Sequence, residues 1–121
     1  MAVKVYGYAK CGTCRKAWKW FRDNDVSFEN IPIAEHPPSR QVIVEAWERS
    51  GLPLRKFFNT SGKSYREGGF SARLKGGMSE AEQLDALAAD GMLVKRPLVL
   101  SATGATVGFD AARYAELFLE S

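Results

Sequence analysis

The sequence predicts an α/β fold, built from a β-α-β unit, a helical middle and a closing β-β-α unit. Two runs of β-branched and aromatic residues flank an amphipathic segment within the first 33 residues. Near the C-terminus, two short apolar runs separated by a turn precede another amphipathic segment. The chain has 121 residues, the length of one domain with its own core, so we place a single domain at residues 1–121.

The first third predicts two parallel strands joined by a helix. Residues 3–8 are rich in β-branched and aromatic side chains and end at a turn over residues 9–12, as a strand does. Residues 13–24 predict a helix, and residues 27–33 predict the second strand. A helical crossover makes the two strands parallel neighbours. The residues expected to face inward are Ala17, Trp18, Trp20 and Phe21 of the helix, and Phe28, Ile31 and Ile33 of the second strand.

The middle of the chain predicts helices. Ser39, after two prolines, is expected to cap a helix that ends at residues 51–53. Residues 54–58 predict a further helical turn before a loop at residues 59–62, whereas the glycines within residues 65–77 leave that stretch unassigned. Ser79 and Glu82 form a capping box for a helix that runs to about Asp90 and ends at Gly91. The buried face of the first of these helices is expected to comprise Val42, Ile43, Ala46 and Trp47.

The last third predicts a hairpin and a helix. Residues 98–100 form a buried-type strand, residues 102–104 a turn, and residues 106–109 the partner strand. Asp110 caps a final helix whose apolar residues are Tyr114, Leu117, Phe118 and Leu119. The order βαβ, helices, ββα is that of a thioredoxin-like (glutaredoxin-like) fold with a helical insertion at about residues 39–92.

Charge and hydropathy argue against two classes of partner. The net charge is +3, and the lysines and arginines are scattered, so we expect no direct nucleic-acid binding. No run approaches the roughly 18 to 20 apolar residues of a membrane span, and residues 1–6 lack the features of a signal peptide. These observations predict a cytoplasmic protein.

The cysteines are Cys11 and Cys14, in the sequence Cys-Gly-Thr-Cys where the first strand turns into the first helix. The free N–H groups at a helix start carry positive partial charge, which stabilises a thiolate at Cys11. Lys10, Arg15 and Lys16 add positive charge nearby. A thiol with a pKa near 8.5 falls to roughly 3.5–7.5 in such a setting. Cys14, one turn later, can then attack a mixed disulfide on Cys11, so the pair predicts a thiol–disulfide redox site.

Three other interpretations of the pair stay open. A structural zinc site normally needs four ligands, and only His36 is available to join the cysteines, so we expect no metal. The two thiols can also be inert buried residues. A structural disulfide is disfavoured in a reducing compartment.

Arg96 and Pro97 stand directly before the predicted strand at residues 98–100. Proline is allowed at the first position of a strand because it need not donate to the ladder. Only about 5–6% of X–Pro bonds are cis, so the residues alone predict a trans bond here. Arg96 is then either a solvated surface charge or a functional group.

Four stretches together resemble one family, the ArsC/Spx family of glutaredoxin-dependent arsenate reductase relatives, over nearly the whole chain. They are residues 6–17 with Cys-Gly-Thr-Cys-Arg-Lys-Ala, residues 57–62, residues 93–97 and residues 104–109. The chain is most similar to the small arsenate-reductase-like or Spx/MgsR-type members. The combination of stretches is specific to the family rather than to one activity within it.

The resemblance implies a thioredoxin-like fold with Cys11 as the nucleophile and Pro97 as a cis-proline facing it. Arg96 matches an arginine that binds the oxyanion in arsenate reductases, where its fork suits a tetrahedral anion. Those enzymes use one cysteine and two further arginines, whose positions fall near Asn59 and Phe109 here. A single arginine neutralises a multiply charged substrate weakly, and Cys14 matches the dithiol switch of Spx-type regulators instead.

Two functions of different classes follow from the resemblance and the cysteine pair. The first is an arsenate-reductase-like oxidoreductase with no bound cofactor, whose electrons come from glutathione, glutaredoxin or thioredoxin. In it Cys11 is the nucleophile and Cys14 is the resolving thiol. Arg96 positions an anion or a thiol adduct, and the loop of Asn59 and Thr60 forms the far wall of the site. Its remaining substrate-binding residues are Gly12, Thr13 and Pro97. The alternative is a redox-sensing transcription regulator that binds the RNA polymerase alpha subunit, and a third reading is an interaction module with vestigial thiols.

Overall fold

The computed structural model describes residues 3–119, so four residues of the predicted domain, 1, 2, 120 and 121, lie outside the described part. In chain order the elements are β1 (Val3–Gly7), α1 (Gly12–Asp23), β2 (Phe28–Pro32), α2 (Arg40–Ser50), α3 (Lys63–Glu67), α4 (Phe70–Lys75), α5 (Glu80–Ala89), β3 (Leu98–Ser101), β4 (Gly104–Val107) and α6 (Ala111–Phe118), with 3₁₀ turns at Leu54–Phe57 and Gly91–Leu93. The four strands form one mixed sheet in the order β2-β1-β3-β4. The predicted α/β class is confirmed.

The register of the sheet follows from the connections. β1 runs parallel to β2, with Val3 opposite Phe28, because helix α1 carries the chain back to the start of the sheet. β1 pairs with β3 in the antiparallel sense, with Val5 opposite Val99, and β3 pairs with β4 through a hairpin. β1 is therefore a central strand, and the chain leaves its carboxyl end directly toward α1.

Alternation along the strands gives the protein two apolar cores, one on each face of the sheet. Val5 and Val99 point to the face that Phe21 of α1 and Tyr114 of α6 cover. Tyr6 and the flanking residues of β3 point to the opposite face, which the helices between β2 and β3 cover. Helix α1 is thus held on one side of the sheet, with its first turn at the carboxyl end of β1.

The predicted inward residues of β2 are only partly right, because β2 is an edge strand. Phe28 and Ile31 are half-buried, and they are three residues apart, so they point to opposite faces. Ile33, just beyond the strand, is fully buried as predicted.

The hairpin prediction was wrong by two residues. The partner strand β4 is Gly104–Val107 rather than residues 106–109, because Ser101 pairs with Gly104 across a two-residue turn. The Ser101 hydroxyl stabilises this tight turn. It accepts from the Thr103 amide at 3.2 Å and donates to the Gly104 carbonyl at 3.1 Å.

The helix starts at serine and aspartate follow the predicted capping. Ser39 accepts a hydrogen bond from the Val42 amide, Ser79 forms the full capping box with Glu82, and Asp110 accepts from the Arg113 amide. The last helix is shorter than its apolar pattern predicts, since α6 ends at Phe118 and Leu119 is 37% exposed.

The glycine-rich stretch left unassigned forms two short helices, α3 and α4. Gly69, at φ +65°, separates them in a left-handed conformation that residues with a Cβ adopt only at a cost. The predicted helix end at Gly91 is wrong. Helix α5 ends at Ala89, and the Asp90 carboxylate then accepts from the Met92 amide at 2.9 Å, which starts a 3₁₀ turn. No helix within residues 3–119 has the length and hydropathy needed to cross a membrane.

Candidate active site

Cys11 is the residue that caps helix α1. Its backbone is extended (φ −97°, ψ 118°), and its amide donates to the Tyr8 carbonyl at 2.9 Å, which closes the turn after β1. Its side chain is half-buried. The N-cap position, which usually holds a residue with a side-chain oxygen, is therefore occupied by a cysteine here. Its sulfur lies at the end of the helix where the free amides point.

Cys14, in the first turn of α1, lies next to Cys11. Its thiol and the backbone amides of Thr13 and Cys14 are close enough to the Cys11 sulfur to stabilise a thiolate there. Cys14 has no exposed surface, and the Tyr8 amide donates to its Sγ at 3.4 Å. Both cysteines are free. The two sulfurs thus point to the same side, as the predicted redox pair requires.

The same surroundings shift the two thiols in opposite directions. Partial burial raises the pKa of Cys11, but the hydrogen bonds from Cys14 and Thr13, together with the charge of Arg96, outweigh burial and lower it below its ordinary value. Burial raises the pKa of Cys14 to about 12, and the hydrogen bond to Cys11 and the negative charge on Cys11 act in the same direction. The accessible Cys11 is therefore the first of the two thiols to ionise, and Cys14 keeps its proton after Cys11 has lost its own.

Arg96 approaches the sulfurs from the loop before β3. The Arg96–Pro97 bond is cis, as the family resemblance implies and contrary to the expectation from base rates. The guanidinium lies 5.2 Å from the ring centre of Tyr8, and its Nη1 donates to the Met92 sulfur at 3.5 Å. Its buried Nε has no hydrogen-bond partner among residues 3–119. The arginine is thus held by the Tyr8 ring and the Met92 sulfur, and neither of these partners neutralises its charge.

Of the predicted cations, Arg15 has a different role. Its Nη1 donates to the Ala9 carbonyl at 2.7 Å, which stabilises the turn that leads into α1, while Lys10 and Lys16 are exposed. The cation whose charge lowers the pKa of Cys11 comes instead from residue 96, distant in the sequence.

Three of the predicted substrate-binding residues border the cysteine pair or the arginine. Gly12 and Thr13 are exposed in the first turn of α1, and the Thr13 amide is among the groups that lower the pKa of Cys11. Pro97 is buried next to Arg96, and its carbonyl accepts from the Gly108 amide at 2.9 Å. Their roles toward a substrate stay predictions.

The loop of Asn59 and Thr60 is attached to the segment before Arg96, and its role as the far wall of the site stays a prediction. The Asn59 amide donates to the Leu93 carbonyl at 2.7 Å, which attaches the loop to the segment before Arg96. The Asn59 side chain is buried in its own loop, where its Oδ1 accepts from the Ser61 hydroxyl at 3.3 Å. Thr60 is exposed and lines a separate pocket with Arg55. Neither contact involves Cys11.

Phe109, near which the family resemblance puts a further arginine, packs edge-on against Tyr114 with ring centres 5.1 Å apart. It therefore belongs to the core covered by α1 and α6. Tyr8 and Met92 are the site residues that the sequence interpretation missed. Tyr8 gave a weak signal, an aromatic at the end of the first strand, whereas Met92 gave none because only the fold places it beside Arg96.

The fold and the cysteine pair define a thioredoxin-like protein with a dithiol at the start of its first helix. The ArsC family model matches residues 6–117, and the chain belongs to the ArsC family. Within residues 3–119, no three His, Cys, Asp or Glu side chains come together as a metal site.

The relatives range from close homologues to distant proteins with assigned roles. The uncharacterized protein YusI of Bacillus subtilis is 49% identical over 116 residues, which cover 96% of this chain and 98% of YusI. The solved structure of an ArsC family related protein from Bacteroides fragilis is 39% identical, with a TM-score of 0.92 over 97% of this chain and 98% of that one. An arsenate reductase of Rhizobium meliloti is 27% identical over 86% of this chain and 72% of its own. The global transcriptional regulator Spx of Lactiplantibacillus plantarum is 23% identical over 89% of this chain and 80% of its own.

Replacing Arg96 by glutamine should shift the titration of Cys11 to higher pH. The guanidinium favours the thiolate, so its removal raises the pKa of Cys11 and slows alkylation near neutral pH. The measurement is the rate of iodoacetamide modification of reduced protein across pH, with Cys11 identified by mass spectrometry. Lys16→Gln removes one charge from the same helix and should leave the midpoint in place. An unchanged midpoint in Arg96→Gln contradicts the assigned role.

Proposed function

We propose that this protein is a thiol–disulfide oxidoreductase of the ArsC family, with Cys11 as nucleophile and Cys14 as resolving thiol. The observation that carries the proposal is the contact between the two sulfurs combined with their opposite pKa shifts. A nucleophile has to be ionised and accessible, and a resolving thiol has to be close and kept protonated until it is needed. Cys11, half-exposed and with a lowered pKa, suits the first role, and Cys14, buried and with a raised pKa, suits the second.

The reaction consists of two exchanges. The Cys11 thiolate attacks a substrate disulfide, forms a Cys11–substrate disulfide and expels the first substrate thiolate, which takes up a proton. Cys14 then loses its proton and attacks the Cys11 sulfur, which forms the Cys11–Cys14 disulfide and releases the second substrate thiol. The substrate gains two electrons and two protons, and the protein loses them. A thiol reductant returns the protein to the dithiol state through the same exchanges in reverse.

The surroundings support binding of an anionic group beside the thiolate. Arg96 has an unpartnered Nε, within the described residues, and its fork can donate to an oxyanion or to a carboxylate of a thiol adduct. Gly12 and Thr13 offer exposed backbone next to Cys11, and Pro97 lies beside Arg96. We propose glutathione, glutaredoxin or thioredoxin as electron donor, with no bound cofactor, in a reducing compartment such as the cytoplasm. Arsenate reduction is the narrower form of this proposal, supported by the arsenate reductase relative.

The test is to trap the intermediate. Reduced Cys14→Ser protein mixed with a small disulfide such as hydroxyethyl disulfide should accumulate a covalent adduct on Cys11, seen as a mass increase of one substrate half. The wild-type protein should instead lose two hydrogens as its internal disulfide forms. The matched variant Cys11→Ser should form no adduct. An adduct on Cys14 in Cys11→Ser, formed as fast as that on Cys11, overturns the assigned roles.

A second candidate function is a redox-sensing transcription regulator that binds the RNA polymerase alpha subunit. It is favoured by the same sulfur–sulfur contact, since formation of one internal disulfide is a reversible switch, and by the Spx relative. Binding of the alpha subunit to reduced and to oxidised protein discriminates the two functions. Redox-dependent binding with negligible turnover supports the regulator, whereas rapid turnover without binding supports the oxidoreductase.

A further inference from the structure

A pocket of about 410 Å³ lies apart from the cysteine pair. It lies beside the 3₁₀ turn Leu54–Phe57, strand β4 and the start of α6. Cys11, Cys14, Arg96 and Pro97 are not among its lining residues. Four cationic side chains line it: Arg55, Lys56, Lys95 and Arg113.

The charge of this pocket is strongly unbalanced for a chain whose net charge is only +3. Asp110 is the one carboxylate that lines it, and that carboxylate already accepts the Arg113 amide as the cap of α6. Arg55, Lys56 and Lys95 are exposed and form no ion pair with residues 3–119. Cations that share one concave site repel each other, so an anion bound among them is stabilised.

Arg113 is the fixed element of the pocket. Its Nη2 donates to the Ser50 carbonyl at 2.6 Å and to the Ala105 carbonyl at 3.5 Å, which joins α6 to the end of α2 and to β4. Its Nε is buried and has no hydrogen-bond partner in the described part of the chain. A guanidinium already held in place loses little conformational freedom when it binds an anion.

The rest of the lining is suited to an organic group. The half-buried Leu52 and Val107 contribute apolar surface, and the buried Phe58 also lines the pocket. The Lys95 side chain passes close to Gly108. Its Cε lies 3.4 Å from the position that a Cβ would take on this glycine. The volume falls within the range of about 300–1,000 Å³ that small-molecule pockets occupy.

We propose that this pocket binds a small organic phosphate. A phosphate ester carries up to two negative charges and several acceptor oxygens, which match the four cations, while its organic part matches the apolar surface of Leu52 and Val107. The site is independent of the thiol chemistry proposed above, so either proposal can fail without the other.

The test is an NMR titration of reduced, isotopically labelled protein at low ionic strength, with adenosine monophosphate, inorganic phosphate and adenosine as probes. Adenosine monophosphate should shift the amides of Lys95, Thr106 and Val107 more than those of Cys11 and Cys14, and added salt should weaken its binding. Inorganic phosphate should bind more weakly, and adenosine should leave these amides unshifted at equal concentration. Unmoved pocket amides at millimolar adenosine monophosphate, or equal binding of adenosine, overturn the proposal.

Matched variants separate a built site from general surface charge. The double variant Lys56→Gln/Lys95→Gln should weaken binding of adenosine monophosphate by about tenfold or more, because it removes two of the four cations. Lys4→Gln/Lys16→Gln removes the same charge from exposed positions outside the pocket and should weaken it far less. Equal weakening in both double variants overturns the proposal. Cys11→Ser should bind normally, and loss of binding there would place the ligand at the thiol site and overturn it as well.

Discussion

Substitution of Cys11 by serine is expected to slow the reduction of a small disulfide by roughly a thousandfold or more. A serine hydroxyl is not ionised near neutral pH. The amides of Thr13 and Cys14 and the charge of Arg96 lower the pKa of a thiol, but they are not sufficient to ionise a hydroxyl. The remaining Cys14 thiol is fully buried, with a pKa raised to about 12, so it is a poor replacement nucleophile. The measurement is the steady-state rate with hydroxyethyl disulfide and excess glutathione.

The control for this prediction is Thr13→Ser. It alters an exposed side chain next to Cys11 but keeps the backbone amide that lowers the pKa of the thiol, so its rate should stay within about twofold of the wild type. A Cys11→Ser protein that folds normally and keeps a tenth of the wild-type rate would show that the reacting thiol is not Cys11.

Substitution of Phe21 by alanine is expected to lower the free energy of unfolding by about 3–5 kcal/mol. Phe21 has no exposed surface, and its ring centre lies 5.2–5.5 Å from those of four other aromatic residues. These neighbours are Trp20, Phe28, Tyr114 and Phe118. The cavity left by the ring lies between α1, α6 and the sheet, so it loosens the helix that carries both cysteines. A typical domain is stable by only about 5–15 kcal/mol, so the loss is a large share.

Urea denaturation followed by circular dichroism measures this loss. Leu119→Ala is the control, because Leu119 is 37% exposed beyond the end of α6 and its truncation should change the unfolding free energy by about 0.5 kcal/mol or less. A change below about 1 kcal/mol in Phe21→Ala would mean that the aromatic cluster does not hold α1 in place.

The local features of this protein could be predicted from the sequence alone. The caps at Ser39, Ser79 and Asp110 join atoms that lie within a few residues of each other. The placement of Cys11 and Cys14 at the start of α1 is local in the same sense. The β-α-β unit follows from hydrophobic periodicity and from the handedness of crossovers. The α/β class and the placement of the cysteine pair were therefore predictable, because each depends on interactions that are short in sequence.

The tertiary structure decided the features that depend on residues distant in sequence. Arg96 lies close enough to Cys11 for its charge to lower the pKa of that thiol only because β3 lies beside β1, and Tyr8 and Met92 contact its guanidinium. The difference between the two thiols also needed the fold, since burial of Cys14 is a property of packing and not of the motif. The orientation of Asn59 also needed the fold. Its side-chain oxygen accepts from the Ser61 hydroxyl, and its backbone amide donates to the Leu93 carbonyl. Burial and long-range contacts set the energy of each of these groups, and no local pattern in the chain encodes them.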